Sequence, residues 1–226
     1  MSNFVLILGA TGSGKSTSIK TLNPKETVVL SVTNKDLPFL KSRALYNEEN
    51  KNRFYIPNWD GILSYMDAIS ENAKDIKNIV VDDSTYIMRN EFFNRVEEKS
   101  FDKYNDIANH FRLLIAKATS LRKDLNVFFL QHSETVESEG NILEYKSSSV
   151  GKLLDKMYRP EENVTIILYA QPKFDDKGKP VFGFYTHTTK VNGVKVPAKT
   201  PDGMFKEDYI PNDLALVVKT MNEYYG

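Results

Sequence analysis

Short apolar runs rich in β-branched residues alternate along the chain with longer amphipathic stretches. Phe4–Leu8, Thr27–Val32, Ile79–Val81, Val127–Leu130 and Val164–Tyr169 have strand length and predict buried strands. Lys15–Leu22, Asp60–Ala73, Tyr86–Glu98, Asp106–Arg122, Val150–Met157 and Asp213–Tyr224 carry apolar residues at helical spacing and predict helices. Strands alternating with helices imply parallel strands joined by crossovers, with helices covering the sheet. After Ala170 the pattern changes. Val181–Thr186 and Val191–Pro197 read as short strands, separated by Lys190 and Asn192–Gly193, a hairpin signature. The expectation is an α/β fold with a mostly parallel central sheet flanked by helices and a C-terminal antiparallel hairpin extension. No repeat, low-complexity tract or Pro/Gly-rich linker divides the 226 residues, so the chain reads as one domain, 1–226.

Composition changes this picture mainly by exclusion. Hydrophobic residues make up 41% of the chain, with 13 Phe and 12 Tyr, enough for a sizeable core. Thirty Lys and Arg balance thirty Asp and Glu, so nucleic acid would have to be held by a localised basic patch rather than by overall charge. The absence of cysteine rules out disulfides, thiolate catalysis and cysteine-ligated zinc. His110, His132 and His187 lie too far apart in sequence for metal-ligand spacing. No apolar run reaches bilayer length, and Phe4–Leu8 leads into glycines rather than a cleavage site. These features predict a cytoplasmic protein with no membrane association.

The chemistry is concentrated first in Gly9-Ala10-Thr11-Gly12-Ser13-Gly14-Lys15-Ser16, which fits the Walker A pattern without mismatch between a predicted strand and a predicted helix. Glycines let successive N–H groups curl around phosphate oxygens, and the following helix adds its positive end. Thr11, Gly12, Ser13, Gly14, Lys15, Ser16 and Thr17 are the candidate nucleotide ligands. Lys15 is expected on the β- and γ-phosphates, Ser16 on Mg2+, and Thr17 on the α-phosphate. The implied cofactors are ATP and Mg2+.

A phosphate loop of this kind needs a carboxylate for its metal ion at the end of a neighbouring buried strand. Ile79-Val80-Val81-Asp82-Asp83 supplies it. Asp82 is the candidate magnesium aspartate. Asp83, one residue on, is the candidate for orienting or deprotonating the attacking water. Gln131, after Val127–Leu130, could sense the γ-phosphate and pass the signal onward, or it could simply mark a strand leaving the core. His132 reads as structural.

In this order the parts resemble a RecA-type ATPase core, and more narrowly the small core-only RecA-like proteins of tailed phages. The narrower resemblance is carried by Phe128-Phe129-Leu130-Gln131-His132, Val150-Gly151-Lys152-Leu153-Leu154, Lys199-Thr200-Pro201-Asp202-Gly203-Met204-Phe205 and Ile210-Pro211-Asn212-Asp213-Leu214. It implies an ATPase of single-strand annealing or recombination that acts on single-stranded DNA as a homo-oligomeric ring or filament, in the host cytoplasm. It implies mobile DNA-contacting loops at Lys99–Asp106 and Ser133–Ser149, the second with Lys146 as its one cation, and nearby Lys152, Lys156 and Arg159 as phosphate contacts or as a solvated helix face. It also implies that Lys195 or, by preference, Lys199 reaches a neighbouring subunit's γ-phosphate; an ordinary surface lysine is the alternative. The family's catalytic glutamate after the second strand is missing from Ser31-Val32-Thr33-Asn34-Lys35-Asp36. Either Asp36 or Asp83 replaces it, or hydrolysis is slow.

Two other readings stay open. A nucleotide-controlled accessory protein, such as a helicase loader or packaging factor, would use ATP only to set shape. A small-molecule or nucleotide kinase would need an arginine-rich lid, which the scattered arginines do not form. A signalling GTPase is disfavoured because Asn34-Lys35-Asp36 lacks the spacer of the guanine-reading motif.

Overall fold

The computed structural model describes residues 1–150 and 158–226, and elements are numbered among those residues. The chain begins with β1 (Asn3–Gly9), a 3-10 segment (Ser16–Thr21), β2 (Thr27–Ser31), α1 (Ser42–Leu45), β3 (Arg53–Tyr55) and α2 (Trp59–Asn72). It continues with β4 (Asn78–Asp82), α3 (Thr85–Asn94), α4 (Asp102–Ser120), β5 (Asn126–Ser138) and β6 (Asn141–Ser147). A second 3-10 turn (Pro160–Asn163) leads to β7 (Ile166–Ala170), β8 (Lys173–Phe174), β9 (Pro180–Val181) and β10 (Gly183–Tyr185). The last elements are β11 (Thr189–Val191), β12 (Val194–Val196), β13 (Tyr209–Pro211) and α5 (Leu214–Tyr225).

The parallel part of the main sheet runs β3-β2-β4-β5-β1-β7. β10 and β13 extend it antiparallel beyond β7. This is the predicted architecture. β5 therefore lies between the strand that feeds the phosphate loop and the strand that ends in Asp82.

Alternation along each strand builds two cores. Phe4, Leu6, Leu8, Ile79, Val81, Val127 and Phe129 face α2, α3 and α4, meeting Ile62, Met66, Ile87, Ile107, Phe111 and Leu114. Val5, Ile7, Val80, Phe128 and Leu130 face the other way, onto Ile19, Leu22, Leu214, Val217 and Met221. Strands buried on both faces read as continuous apolar runs, which is why the sequence pattern found them.

Several expectations are corrected. Lys15–Leu22 is not an α-helix but the six-residue 3-10 segment Ser16–Thr21. Ser18 Oγ donates to Lys15 O at 2.5 Å and Thr21 Oγ1 to Ser18 O at 2.9 Å, so the hydroxyls compete for the backbone. Pro24 then disfavours continuation.

Ser133–Ser149 is not a loop. β5 runs on to Ser138 and pairs antiparallel with β6, through a turn in which Glu139 (φ 51°) and Gly140 (φ 79°) are both left-handed. Within Lys99–Asp106 only residues 99–101 lie outside helix, because α4 starts at Asp102. The late hairpin joins β11 to β12 across Asn192 (φ 50°) and Gly193 (φ 83°), rather than joining Val181–Thr186 to Val191–Pro197. It docks beside β6 through Lys195 and Glu144. Val181–Thr186 is split between β9, paired with β8, and β10. The predicted helix Val150–Met157, with Lys152 and Lys156, falls on 151–157, outside the described residues. Sequence periodicity missed β3, α1 and β13, which are only three or four residues long.

Candidate functional site

Parallel pairing aligns strand ends. Leu8 is opposite Gln131, Gly9 opposite His132, and Ser31 opposite Asp82. The phosphate loop, the acidic pair and Gln131 thus share the carboxyl edge of the sheet, where open α/β folds bind ligands.

Gly12 (φ 77°) and Gly14 (φ 96°) take left-handed backbone that curls the loop. Gly14 has a second reason to lack a side chain, since a Cβ there would lie 2.9 Å from the Phe182 ring and 3.2 Å from Asn212 Nδ2. Asn212 donates to Gly14 O at 3.1 Å. Neither Phe182 nor Asn212 was a sequence candidate, because only the tertiary path of β9–β13 brings them to the loop.

Lys15 is buried, and its Nζ donates to Gly9 O at 2.7 Å and Ala10 O at 2.8 Å. Desolvation lowers its pKa to about 8, against the opposing pull of Asp83 and Asp82. The Ser13 hydroxyl is buried and without a hydrogen-bond partner. Thr11 and Gly12 are exposed on the outer turn, and Thr17 is half-buried.

Ser16 Oγ donates to Asp82 Oδ1 at 2.7 Å. These two candidate magnesium ligands, 66 residues apart in sequence, therefore touch. Asp82 is only 4% exposed, and burial, then the charge of Asp83, raises its pKa to about 6. Such a carboxylate is short of compensating positive charge. Together with the Ser16 hydroxyl it makes the kind of small oxygen pair that would suit Mg2+. Among the described residues no group of three or more His, Asp or Glu side chains could hold a metal ion by itself.

Asp83 is equally buried but differently placed. Its backbone is left-handed (φ 61°), which turns the carboxylate away from the strand's next ladder position. It accepts from Thr33 Oγ1 at 2.7 Å, lies 2.5 Å from Lys35 Nζ, and lies 3.3 Å from His132 Nε2. Burial would raise its pKa, but the bonds from His132, Lys35 and Thr33 outweigh burial and hold it well below the usual carboxylate range. The sequence left Thr33, Lys35 and His132 without a role at the site. The register of β2 on β4 is the signal that places the first two beyond Asp82.

Gln131 is fully buried. Its Nε2 donates to Ser147 Oγ at 2.7 Å and Ser148 O at 3.2 Å, while Oε1 is buried without a partner. It ties the sheet edge to the end of β6. His132 also donates from its backbone to Thr85 Oγ1 at 2.8 Å, anchoring the start of α3.

The remaining candidates lie apart from this group. Lys199 has an exposed side chain, and its backbone is bridged in both directions to Ile167 on β7. Lys195 Nζ lies 3.6 Å from Glu144, and Lys146 Nζ 3.0 Å from Glu134. Arg159 is exposed. Asp36 is held by Arg43, at 3.0 and 2.5 Å, rather than turned toward Asp83.

Among the described residues no helix is long and apolar enough to cross a membrane. A family model described as an AAA domain (AAA_24) matches residues 2–199, and the chain belongs to that family. A search of curated proteins finds no match to this chain.

Proposed function

We propose that this AAA-domain chain is a Mg2+-dependent ATPase of DNA recombination, which binds ATP at Gly9–Thr17 and acts on single-stranded DNA as a homo-oligomer. The observation that carries the nucleotide part is the 2.7 Å hydrogen bond from Ser16 to Asp82 beneath the phosphate loop. Backbone N–H groups of the loop and Lys15 hold the β- and γ-phosphates, with Lys15 leaving the two carbonyls it now caps. Ser16 and Asp82 would hold Mg2+, which would supply positive charge to offset that of the phosphates.

In hydrolysis, water attacks the γ-phosphorus, the bond to the bridging oxygen breaks, and ADP leaves with that oxygen's electron pair. The loose transition state needs positioning more than strong base catalysis. Asp83 suits that need, since its carboxylate is fixed by three donors and is a weak base. Gln131 carries the state of the phosphate edge to Ser147 and Ser148. Lys199, bridged through its backbone to β7 and with an exposed side chain, serves a neighbouring subunit's γ-phosphate.

The DNA part is supported by the order of elements shared with RecA-type cores and by the arm β5–β6 that projects from the sheet edge. The saturated Asp83 favours a second reading, in which turnover is slow and ATP acts as a switch for a partner protein. Hydrolysis measured with and without single-stranded DNA, at low salt with magnesium, separates the two. Strong stimulation supports the recombination reading. Tight nucleotide binding with unstimulated, slow turnover moves the assignment to the switch.

A further inference from the structure

β2 ends at Ser31 opposite Asp82, so the residues that follow it lie beyond the acidic pair. From there Lys35 reaches back to Asp83. The two ends of this contact are unlike: the Asp83 side chain is 4% exposed and that of Lys35 55%. Asp83 retains Thr33 and His132 as partners without Lys35. The backbone of Lys35 is pinned, because the Arg53 guanidinium donates to its carbonyl. The side chain can therefore swing while the loop stays in place.

The position matters because of where a terminal phosphate would lie. Ser16 and Asp82 meet on the acidic-strand side of the loop, and a metal ion that they would hold would draw the terminal phosphates of a bound nucleotide to that side. That is the side on which Lys35 approaches. Lys15 Nζ lies on the loop carbonyls and Lys35 Nζ on Asp83. Two ammonium groups flanking one site repel each other until a polyanion lies between them.

We propose that Lys35 is a ligand of the nucleotide's terminal phosphate, exchanging its contact with Asp83 for one with the γ-phosphate and so distinguishing nucleoside triphosphate from diphosphate. This assignment rests on the nucleotide reading above. Lys35 supplies in cis a cation of the kind that Lys199 supplies in trans. Its departure leaves one acceptor site of Asp83 open beside the γ-phosphate, where a water can be held.

Titrating Mg-ATP and Mg-ADP separately into the purified chain tests the assignment. Lys35→Met is expected to weaken ATP binding about tenfold, about 1.4 kcal/mol, while changing ADP binding less than about twofold. Lys35→Arg should restore most of the preference for ATP. Lys35→Gln keeps a donor to Asp83 without the charge; if Lys35→Met melts early, Lys35→Gln must show the same selective loss of ATP. Equal losses for both nucleotides, or no loss, would overturn the assignment and leave Lys35 a structural partner of Asp83. If wild-type chain and Lys15→Ala bind both nucleotides alike, the nucleotide reading falls and takes Lys35 with it. If binding depends on Lys15 but the ATP to ADP ratio ignores Lys35, only the present assignment falls.

Discussion

The phosphate edge of the sheet and the arm formed by β5–β6 with β11–β12 use the same residue types to opposite ends. At the edge, Lys15, Ser16, Asp82, Asp83 and Gln131 are buried or half-buried, and their contacts are short hydrogen bonds, local for Lys15 and between distant elements for Ser16 and Gln131. On the arm, Lys146 and Lys195 are neutralised by Glu134 and Glu144 at 3.0 and 3.6 Å, in pairs that keep at least one partner a third or more exposed. Buried polar groups that lose a partner cost far more than exposed ion pairs do. The edge is thus fixed in one arrangement and ready for one ligand, whereas the arm can change partners at little cost.

The largest effect expected from this contrast is at Lys15. Lys15→Ala removes an ammonium that would make two or more charge-assisted bonds to phosphate, and nucleotide affinity should fall at least about a hundredfold. Undiminished affinity in a titration with Mg-ATP would remove the phosphate-loop assignment.

Asp82 comes next, because there function and stability pull apart. Its folded pKa, about 6, lies above its ordinary 3.8, so the native state binds more protons than the unfolded one across that interval. Asp82 therefore lowers stability progressively as pH rises through the interval, and the cost is fully present at pH 7. Asp82→Asn keeps an acceptor for Ser16 and removes the charge. Without metal it should raise stability at pH 7 by roughly 2 to 3 kcal/mol at most, with the gain vanishing near pH 4. The same variant should lose magnesium-dependent hydrolysis. Asp83 has the opposite sign: its pKa is depressed, so its contribution is present above the ordinary carboxylate range and lost on acidification. Asp83→Asn should destabilise at pH 7, and melting curves of the two variants across pH compare them directly.

The difference between edge and arm also explains what the sequence made legible. Doubly buried strands such as Phe4–Leu8 and Val127–Leu130 announce themselves by continuous apolar character. The glycines of the phosphate loop announce themselves by spacing. Asp82 followed from the need of such a loop for a carboxylate. By contrast, the arm's first strand past Gln131, Ser133-Glu134-Thr135-Val136-Glu137-Ser138, carries a single aliphatic residue and reads as a polar loop. The 3-10 segment was hidden because amphipathic spacing over Ser16–Thr21 does not report hydroxyls bonding back to the backbone. Nothing local marks Thr33, Lys35 or Asn212 as part of this site. Strand register and the path of the chain bring them to the site.

A smaller effect is expected at Lys199. Its side chain is exposed and its backbone is bridged to Ile167, so Lys199→Ala should leave folding and nucleotide affinity within about 0.5 kcal/mol of wild type. A trans role predicts hydrolysis reduced at least about tenfold in the assembled state and hardly changed in dilute monomer. Turnover that is unchanged at every concentration would return Lys199 to the surface lysines.

The smallest effect is the one that tests whether the arm's neutrality matters. Glu144→Gln removes the carboxylate opposite Lys195 and exposes that ammonium to any polyanion, while the pairing of β12 with β6 persists through the backbone. The Lys195 side chain is half exposed and that of Glu144 a third exposed, so stability should change by less than about 1 kcal/mol. If single-stranded DNA runs along the arm, one additional phosphate contact should raise affinity a few-fold at low salt. It should also steepen the salt dependence by about 0.7 in the logarithmic slope. Fluorescence anisotropy of a labelled oligonucleotide over a salt series reads both quantities. A steeper slope would show that the arm's glutamates hold its lysines in reserve. An unchanged slope would take DNA off the arm and leave residues 99–101, between α3 and α4, as the place to look.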